Sequence, residues 1–330
     1  MTLRKFAKII NHRGWEMGTG SVDILRQLYR LGNEMFPKRT VSSFKHRILL
    51  MGVALAYFPQ IRNWYRISDN PWLTQARERF PLMHGAIYIP YIHLDWPLPK
   101  RLATIDQHYR MLHGPAAILA RATFEEVELA SLNEEYAGLR LVLDKAEWFS
   151  REGEVVLNLF VHKQRFYSVA FTLGMEAGQP LIFIGALQGS NVEAAAAVYR
   201  EMTHALHGMR PRDLLMAALK LLSRQFGIHR IWAISGAKRY KVRANYDQIW
   251  QEHRGQLLDN GFFEIPAEVR YRQMDEIASR KRKVYRQRYQ MLEQITADIA
   301  MICAGTSIAP PKHHPTAELR TIHDGMFATD

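Results

Sequence analysis

The stretch HGMRPRDLLMAALKLL, His207 to Leu222, sets Arg210 and Arg212 on either side of a proline. Proline suits the first position of a helix because its missing N–H would be unpaired there anyway, so a helix is predicted to begin at Pro211. Leu215, Ala218, Leu219, Leu222 and Phe226 share one face of it, and Gly227 supplies the left-handed residue that ends such a helix. A helix start turns free N–H groups and the positive end of its dipole toward an anion, and two guanidinium forks add donors for phosphate oxygens. The chemistry expected is capture of a phosphate-bearing ligand by Arg210 and Arg212, with Gly208 in the same loop. The competing reading has both arginines solvated or paired with Asp213 and Glu201, Asp213 already answering the dipole.

A second candidate is LQGSN, Leu187 to Asn191, at a predicted strand end. Gln188 and Gly189 sit where ligands of αβ sheets bind, and the small residues permit close backbone approach. An ordinary strand-to-helix turn capped by Ser190 or Asn191 explains the same residues. His204 and His207 are three apart on a predicted helix, but no carboxylate or cysteine completes a metal set, and no metal is expected. No G-x-S-x-G elbow, Walker loop, H-E-x-x-H or dinucleotide fingerprint occurs.

A third candidate is SRKRKVYRQRYQMLEQI, Ser279 to Ile295. Ile277, Val284, Met291, Ile295, Ile299 and Ile302 make one helical stripe, onto which Lys281 and Arg288 also fall, while Arg282, Lys283 and Arg286 face solvent. Cations on a packing face either snorkel to water or meet a buried anion. Interleaved Tyr285 and Tyr289 add little to a case for RNA, and nucleic acid is not an expected partner.

These residues need elements to position them. Helices are expected from Ser21 to about Arg66, broken at FPKR, Phe36 to Arg39. Trp72 to Lys100, rich in proline and aromatics, is expected to hold no long regular element and to wrap a surface. Helical spacing returns over Leu102 to Leu112 and Phe124 to Leu132. LRLVLD at Leu139, VVLNLFVH at Val155 and FYSVAFTL at Phe166 then alternate as an antiparallel meander. Strand Leu181 to Leu187, a helix from Glu193 to His207, the Pro211 helix and strand Arg230 to Ile234 predict parallel pairing of those two strands. The class is α+β: a helical N-terminal region with its connector (1–100), a mixed and mostly antiparallel sheet with packed helices (101–303), and a loose tail (304–330).

With 330 residues, 48% of them hydrophobic, the chain can bury a sizeable core. Its formal charge of +12 favours anionic partners: a phosphorylated small molecule or lipid, or an acidic membrane surface. Ile48 to Phe58, the longest apolar run, is too short to span a bilayer, and its basic flanks suit either a buried helix or one lying on anionic headgroups. A lone cysteine, Cys303, forms no intrachain disulfide, and the N-terminus lacks a signal-peptide pattern. The expected location is the cytoplasm, either free or peripheral at the inner membrane.

LQG at Leu187, HGMRP at His207, YDQIW at Tyr246, GFFEIP at Gly261 and KRKVYRQRYQML at Lys281 together resemble the bacterial VirK/YbjX-like proteins, from about Leu102 to Ile302. The resemblance implies an association with virulence and envelope integrity. It carries over Gln188, Arg210, Tyr246, Asp247, Trp250, Arg286 and Arg288 as motif positions. The element order also resembles the N-acetyltransferase-like fold, in which coenzyme A pyrophosphate sits on backbone N–H groups at a helix start. This chain departs from that family's glycine-rich loop, offering His207 to Arg212 instead, and inserts a helix before it. The implied activity is transfer from acyl-CoA or another phosphorylated donor to an envelope or protein amine or hydroxyl, with Tyr246 as proton donor and Asp247 or Glu201 as base. The rival reading is a non-enzymatic adaptor that docks on anionic lipid or an envelope partner through Ile48 to Phe58 and Arg280 to Arg288.

Overall fold

The N-terminal apolar spacing forms helices in a computed structural model, which describes residues 19–36, 38, 40–66, 70–133, 138–190, 195–240 and 245–305. Helix α1 (Thr19–Met35) buries Ile24, Leu25 and Leu28, and α2 (Val41–Ala56) starts where the Thr40 side chain accepts from the Ser43 N–H. After α3 (Phe58–Arg66), the proline-rich connector departs from expectation. Pro71 opens α4 (Pro71–Arg79), with the Asn70 side chain capping the N–H groups of Trp72 and Leu73, and Pro81 opens a 3-10 turn (Pro81–Ile87). Leu73, Met83, Ile87 and Tyr91 are buried, so the connector is part of the core and not a surface wrap. Prolines at first helical positions cost no hydrogen bond, which is why the segment packs despite them.

Helix α5 (Leu98–Arg110) and the short α6 (Ile118–Phe124) follow. Here a second expectation fails. The chain from Val127 forms strand β1 (Val127–Asn133) in place of a helix; Val127 and Leu129 turn inward while Glu128 and Ser131 stay exposed, a period of two. It pairs antiparallel with β2 (Leu139–Asp144).

From β2 the expected meander continues antiparallel through β3 (Val155–Val161), β4 (Gln164–Glu176) and β5 (Gln179–Gly189). Strand β6 (Ile231–Ile234) lies parallel beside β5, as the sequence predicts, and β7 (Gln256–Leu257) and β8 (Phe262–Ile265) complete one sheet in the order β1-β2-β3-β4-β5-β6-β8-β7. The crossover from β5 to β6 runs through α7 (Ala195–Ala205) and α8 (Pro211–Gln225); the expected start of α7 at Glu193 lies outside the described residues. Two more helices follow, α9 (Tyr246–Glu252) and the long α10 (Ser279–Gly305).

Helix α8 starts at Pro211 and is followed by Gly227 at φ 69°, both as expected. Leu214, Leu215, Ala218, Leu219 and Leu222 are buried against the sheet; full burial of a leucine contributes about 2 kcal/mol. On α10 the packing stripe begins only at Met291 and runs through Ile295, Ile299 and Cys303. Val284 and Lys281, expected on that stripe, are exposed, because the helix extends past the elements it packs against. One hydrophobic cluster runs from Ile24 to Cys303 and joins the N-terminal helices to the sheet.

Candidate functional site

β5 and β6 run side by side for three residue pairs, Ile182 with Ile231, Phe183 with Trp232 and Ile184 with Ala233. Beyond these β5 continues to Gly189 while β6 stops at Ile234. A shift in the ladder between β4 and β5 leaves Gly185 as an extra residue, and such a bulge bends a strand and re-aims its groups. The backbone that β5 would offer a longer neighbour must then find other partners. Side chains supply them. Arg239 Nε donates to the Gly185 carbonyl at 3.1 Å. The Tyr246 hydroxyl donates to the Leu187 carbonyl at 3.0 Å and accepts from the Leu187 N–H at 3.1 Å. Trp250 Nε1 donates to the Ile234 carbonyl at 2.8 Å, so α9 sits as a wedge between the diverging strand ends.

A buried carboxylate closes the inner end of this divergence. The turn before β3 crosses β5 so closely that a Cβ at Gly185 would lie 2.0 Å from the Glu152 carbonyl oxygen. Glu152 Oε1 stands 3.7 Å from Arg239 Nη2, and its other oxygen, Oε2, is buried with no hydrogen-bond partner. Burial raises the Glu152 carboxyl above its ordinary range, only partly offset by Arg151 and Arg239. Burial likewise raises the Tyr246 hydroxyl, against the pull of Arg239, whose guanidinium lies 4.6 Å over the Tyr246 ring.

At the outer end stands the start of α8. Arg210 Nη1 donates to Glu252 Oε2 at 3.1 Å, and Arg212 Nη2 donates to the same oxygen. Asp213 Oδ1 lies 3.6 Å from both Arg212 Nε and His253 Nε2, and each of those nitrogens is buried without a hydrogen bond. Burial, then the charges of Lys220 and Arg212, push the His253 imidazole down to about 4, so it is neutral at pH 7. Desolvation raises the Asp213 carboxyl, with Arg210 and Arg212 opposing. For Glu252 a desolvation penalty is outweighed by Arg212 and Arg210, which hold its carboxyl below the ordinary range. The backbone adds less than expected: Pro211 has no N–H, and the amides of Asp213 and Leu214 both donate to the Arg210 carbonyl. Anion capture here would rest on the guanidiniums.

Half-buried Tyr167 links the two ends, because Arg212 and Asp213 act on its hydroxyl and it in turn acts on that of Tyr246. The preceding loop is pinned from α10: Arg288 Nε and Nη2 donate to the His207 carbonyl at 3.3 and 2.9 Å. A Cβ at Gly208, which has φ 73°, would come within 3.2 Å of Arg288 Nη2.

Of the residues singled out in the sequence, Gln188 and Gly189 stand exposed at the end of β5, and a Cβ at Gly189 would lie 2.6 Å from the Tyr199 hydroxyl. Arg210, Arg212, Gly208 and Arg288 gather around the start of α8. Tyr246 and Trp250 are buried and spend their polar atoms on strand backbone, and Asp247 Oδ1 accepts from the Gly236 N–H at 2.7 Å. These three hold the wedge in place; the Tyr246 hydroxyl is fully engaged with Leu187 and is not free to protonate a leaving group. Glu201 is exposed on α7, and the acid that joins both arginines is Glu252. Lys281 and Arg286 project into solvent from the first turns of α10.

Sequence reasoning did not single out Glu152, Arg239, Glu252 or His253. Glu152 lies in REGE, which reads only as a turn, and its partners are 33 and 87 positions further on, at Gly185 and Arg239. No local spacing carries that signal.

The family model described as a protein of unknown function, DUF535, matches residues 39–301. Among curated proteins, an uncharacterized protein of Haemophilus influenzae (strain Rd) is 30% identical over 214 residues, covering 62% of this chain and 71% of its own length. The uncharacterized protein YbjX of Escherichia coli (strain K12) is 26% identical over 284 residues, covering 80% of this chain and 84% of its own. No solved structure matches.

Proposed function

This chain belongs to the DUF535 family, and from that membership and the ends of β5 and β6 we propose that it is an acyltransferase-like enzyme using a phosphate-bearing acyl donor. The observation that carries the reading is the single parallel strand pair, which diverges after three residue pairs with α8 beginning beside its C-terminal end. Ligands of open αβ sheets bind in such crevices. Four antiparallel strands leading through a helical crossover to a parallel neighbour, itself followed by an antiparallel hairpin, is also the order of an N-acetyltransferase-like sheet.

In this reading Arg210 and Arg212 hold the donor's phosphates, taking phosphate oxygens where they now hold the Glu252 carboxylate. The unpaired Arg212 Nε gains a partner. Gln188 and Gly189 form the exposed mouth of the crevice, and Tyr246 and Arg239 keep the β5 edge open. Glu152 takes the proton: an acceptor amine or hydroxyl attacks the acyl carbonyl, the carbon–sulfur bond of a thioester donor breaks, and the thiolate leaves. A carboxyl raised by burial suits a general base near neutral pH. The acceptor is an envelope or protein group, and a role in envelope integrity or virulence belongs to this same proposal.

The test is thermal. Dialysed protein should melt at a higher temperature with millimolar acetyl-CoA or a longer acyl-CoA, since ligand at a hundred times Kd stabilises by about 2.7 kcal/mol. A melting temperature unmoved by every acyl-CoA tried would contradict the proposal.

A further inference from the structure

Helix α2 has two faces of nearly the same hydrophobicity, and only one is covered. Leu50, Met51 and Ala54 are buried. On the opposite side Val41 is 88% exposed, Phe44 60%, Ile48 56% and Leu49 46%. Val41, Phe44 and Ile48, with exposed Gly52 beyond them, recur at three- and four-residue steps and so make one stripe. Single exposed apolar residues are ordinary on a protein surface; a stripe running along three turns of one helix is not.

The charge around this stripe has one sign. Between Glu34 and Asp69 the chain carries no acidic residue, while Lys38, Arg39, Lys45, Arg47, Arg62 and Arg66 all fall there. Exposed Lys45 lies within the stripe itself. A convex helix face that is apolar, bordered by cations and free of acids has the make-up of helices that lie in the headgroup region of a bilayer. A second copy stacked face to face would set Lys45 against Lys45 with no acid on α2 to compensate. Among the described residues no helix is long and apolar enough to cross a membrane, so the contact would be peripheral.

We propose that this face of α2 docks the protein on an anionic lipid bilayer, with Val41, Phe44, Ile48 and Leu49 among the headgroups and Lys45 beside the lipid phosphates. The site is separate from the crevice at β5 and β6 and does not depend on its chemistry. The covered side of α2 stays in the core, so docking needs no unfolding.

The experiment is flotation of the full chain with vesicles of phosphatidylglycerol and phosphatidylethanolamine, and with phosphatidylcholine alone, at low and high salt. Wild type should float with the anionic vesicles at low salt, less at high salt and little with phosphatidylcholine. Phe44→Glu combined with Ile48→Glu should weaken binding at least tenfold, and Lys45→Glu severalfold. Both sites are exposed, so the melting temperature should stay near wild type; should the acidic pair unfold the protein, Phe44→Ser with Ile48→Ser carries the same test. Absence of flotation at low salt, or flotation undiminished in these variants, would overturn the proposal. So would light scattering that shows a wild-type dimer, made monomeric by the Phe44 and Ile48 changes, with no vesicle binding; that result would assign the face to a second copy.

Discussion

Glu152 and Glu154 stand two residues apart on the turn before β3, both buried, and their carboxylates meet different surroundings. Glu154 Oε1 accepts from the Tyr91 hydroxyl at 3.0 Å, and Oε2 accepts from the Tyr109 hydroxyl at 3.0 Å and from Lys145 Nζ at 2.7 Å. Thr172 Oγ1 takes the Glu154 N–H and bonds to Tyr91. Burial would raise this carboxyl, but Lys145 and His108 outweigh it, so Glu154 stays ionised below the ordinary range. Glu152 has one oxygen 3.7 Å from a shared arginine and one with no partner, and its carboxyl is raised. A closed set of donors fixes a charge and fastens the turn; an incomplete set leaves a group able to change its protonation. The first kind of site serves the fold and the second is available for chemistry.

The largest expected effect is on the closed side. Glu154→Gln strands the Lys145 ammonium, whose side chain is 4% exposed, and breaking a buried pair in this way costs about 3 to 5 kcal/mol. Urea unfolding measures it, and a loss under about 1 kcal/mol would mean the network does not act as a unit.

Acid should expose both sides in proportion. Burial is the main cause that pushes His108 down to about 3 and His84 and His253 down to about 4. Unfolded histidines titrate near 6.5, so between that pH and the folded values the unfolded chain binds more protons and stability falls as pH falls. The slope is about 1.4 kcal/mol per pH unit for each such group. Urea midpoints from pH 7 to 4 should therefore decline, less steeply in His108→Gln beside Glu154 and in His253→Gln beside Arg212. A midpoint independent of pH would contradict the neutral, buried assignment.

Smaller effects belong to the open side. Glu152→Gln should change stability by within about 1 kcal/mol, since few bonds are lost, yet reduce acyl transfer about a hundredfold or more if the carboxylate is the base. Equal transfer rates in wild type and variant would remove Glu152 from the mechanism. Glu252→Gln should be the mildest, leaving the melting temperature nearly unchanged while strengthening the binding of inorganic phosphate or coenzyme A severalfold, because Arg210 and Arg212 lose their internal counter-ion. Weaker binding in that variant would show that Glu252 helps to hold the ligand.

The same contrast explains what the sequence reveals. Pro211 and Gly227 bracket α8 because each acts through its own backbone geometry, and alternation marks β2 to β4 because pleating repeats every two residues. Local signals mislead where tertiary pairing decides: Val127–Asn133 has apolar spacing compatible with a helix, and pairing with β2 makes it a strand. Lys281 and Val284 obey the helical period but lie beyond the surface that α10 covers, which no period can disclose. Arg210 and Arg212 announce themselves by their place at a helix start, while Glu252 reaches them from 42 and 40 positions away. Glu152 and Glu154 look alike in REGE; only the turn's crossing over β4 and β5 separates them.

The central claim is that the open cluster at the start of α8 takes a phosphate-bearing ligand. Native mass spectrometry of gently purified protein, run beside the Arg210→Ala, Arg212→Ala double variant, tests it most directly. Both arginines have exposed or half-exposed side chains, 60% and 19%, so the variant should remain folded. The account predicts that wild type carries a phosphorylated small molecule or lipid, or binds added acyl-CoA, and that the variant binds it about tenfold or more weakly, since each charge-assisted bond is worth about 1.5 to 3 kcal/mol. Equal occupancy in the two proteins would contradict it and leave Arg210 and Arg212 as partners of Glu252 alone.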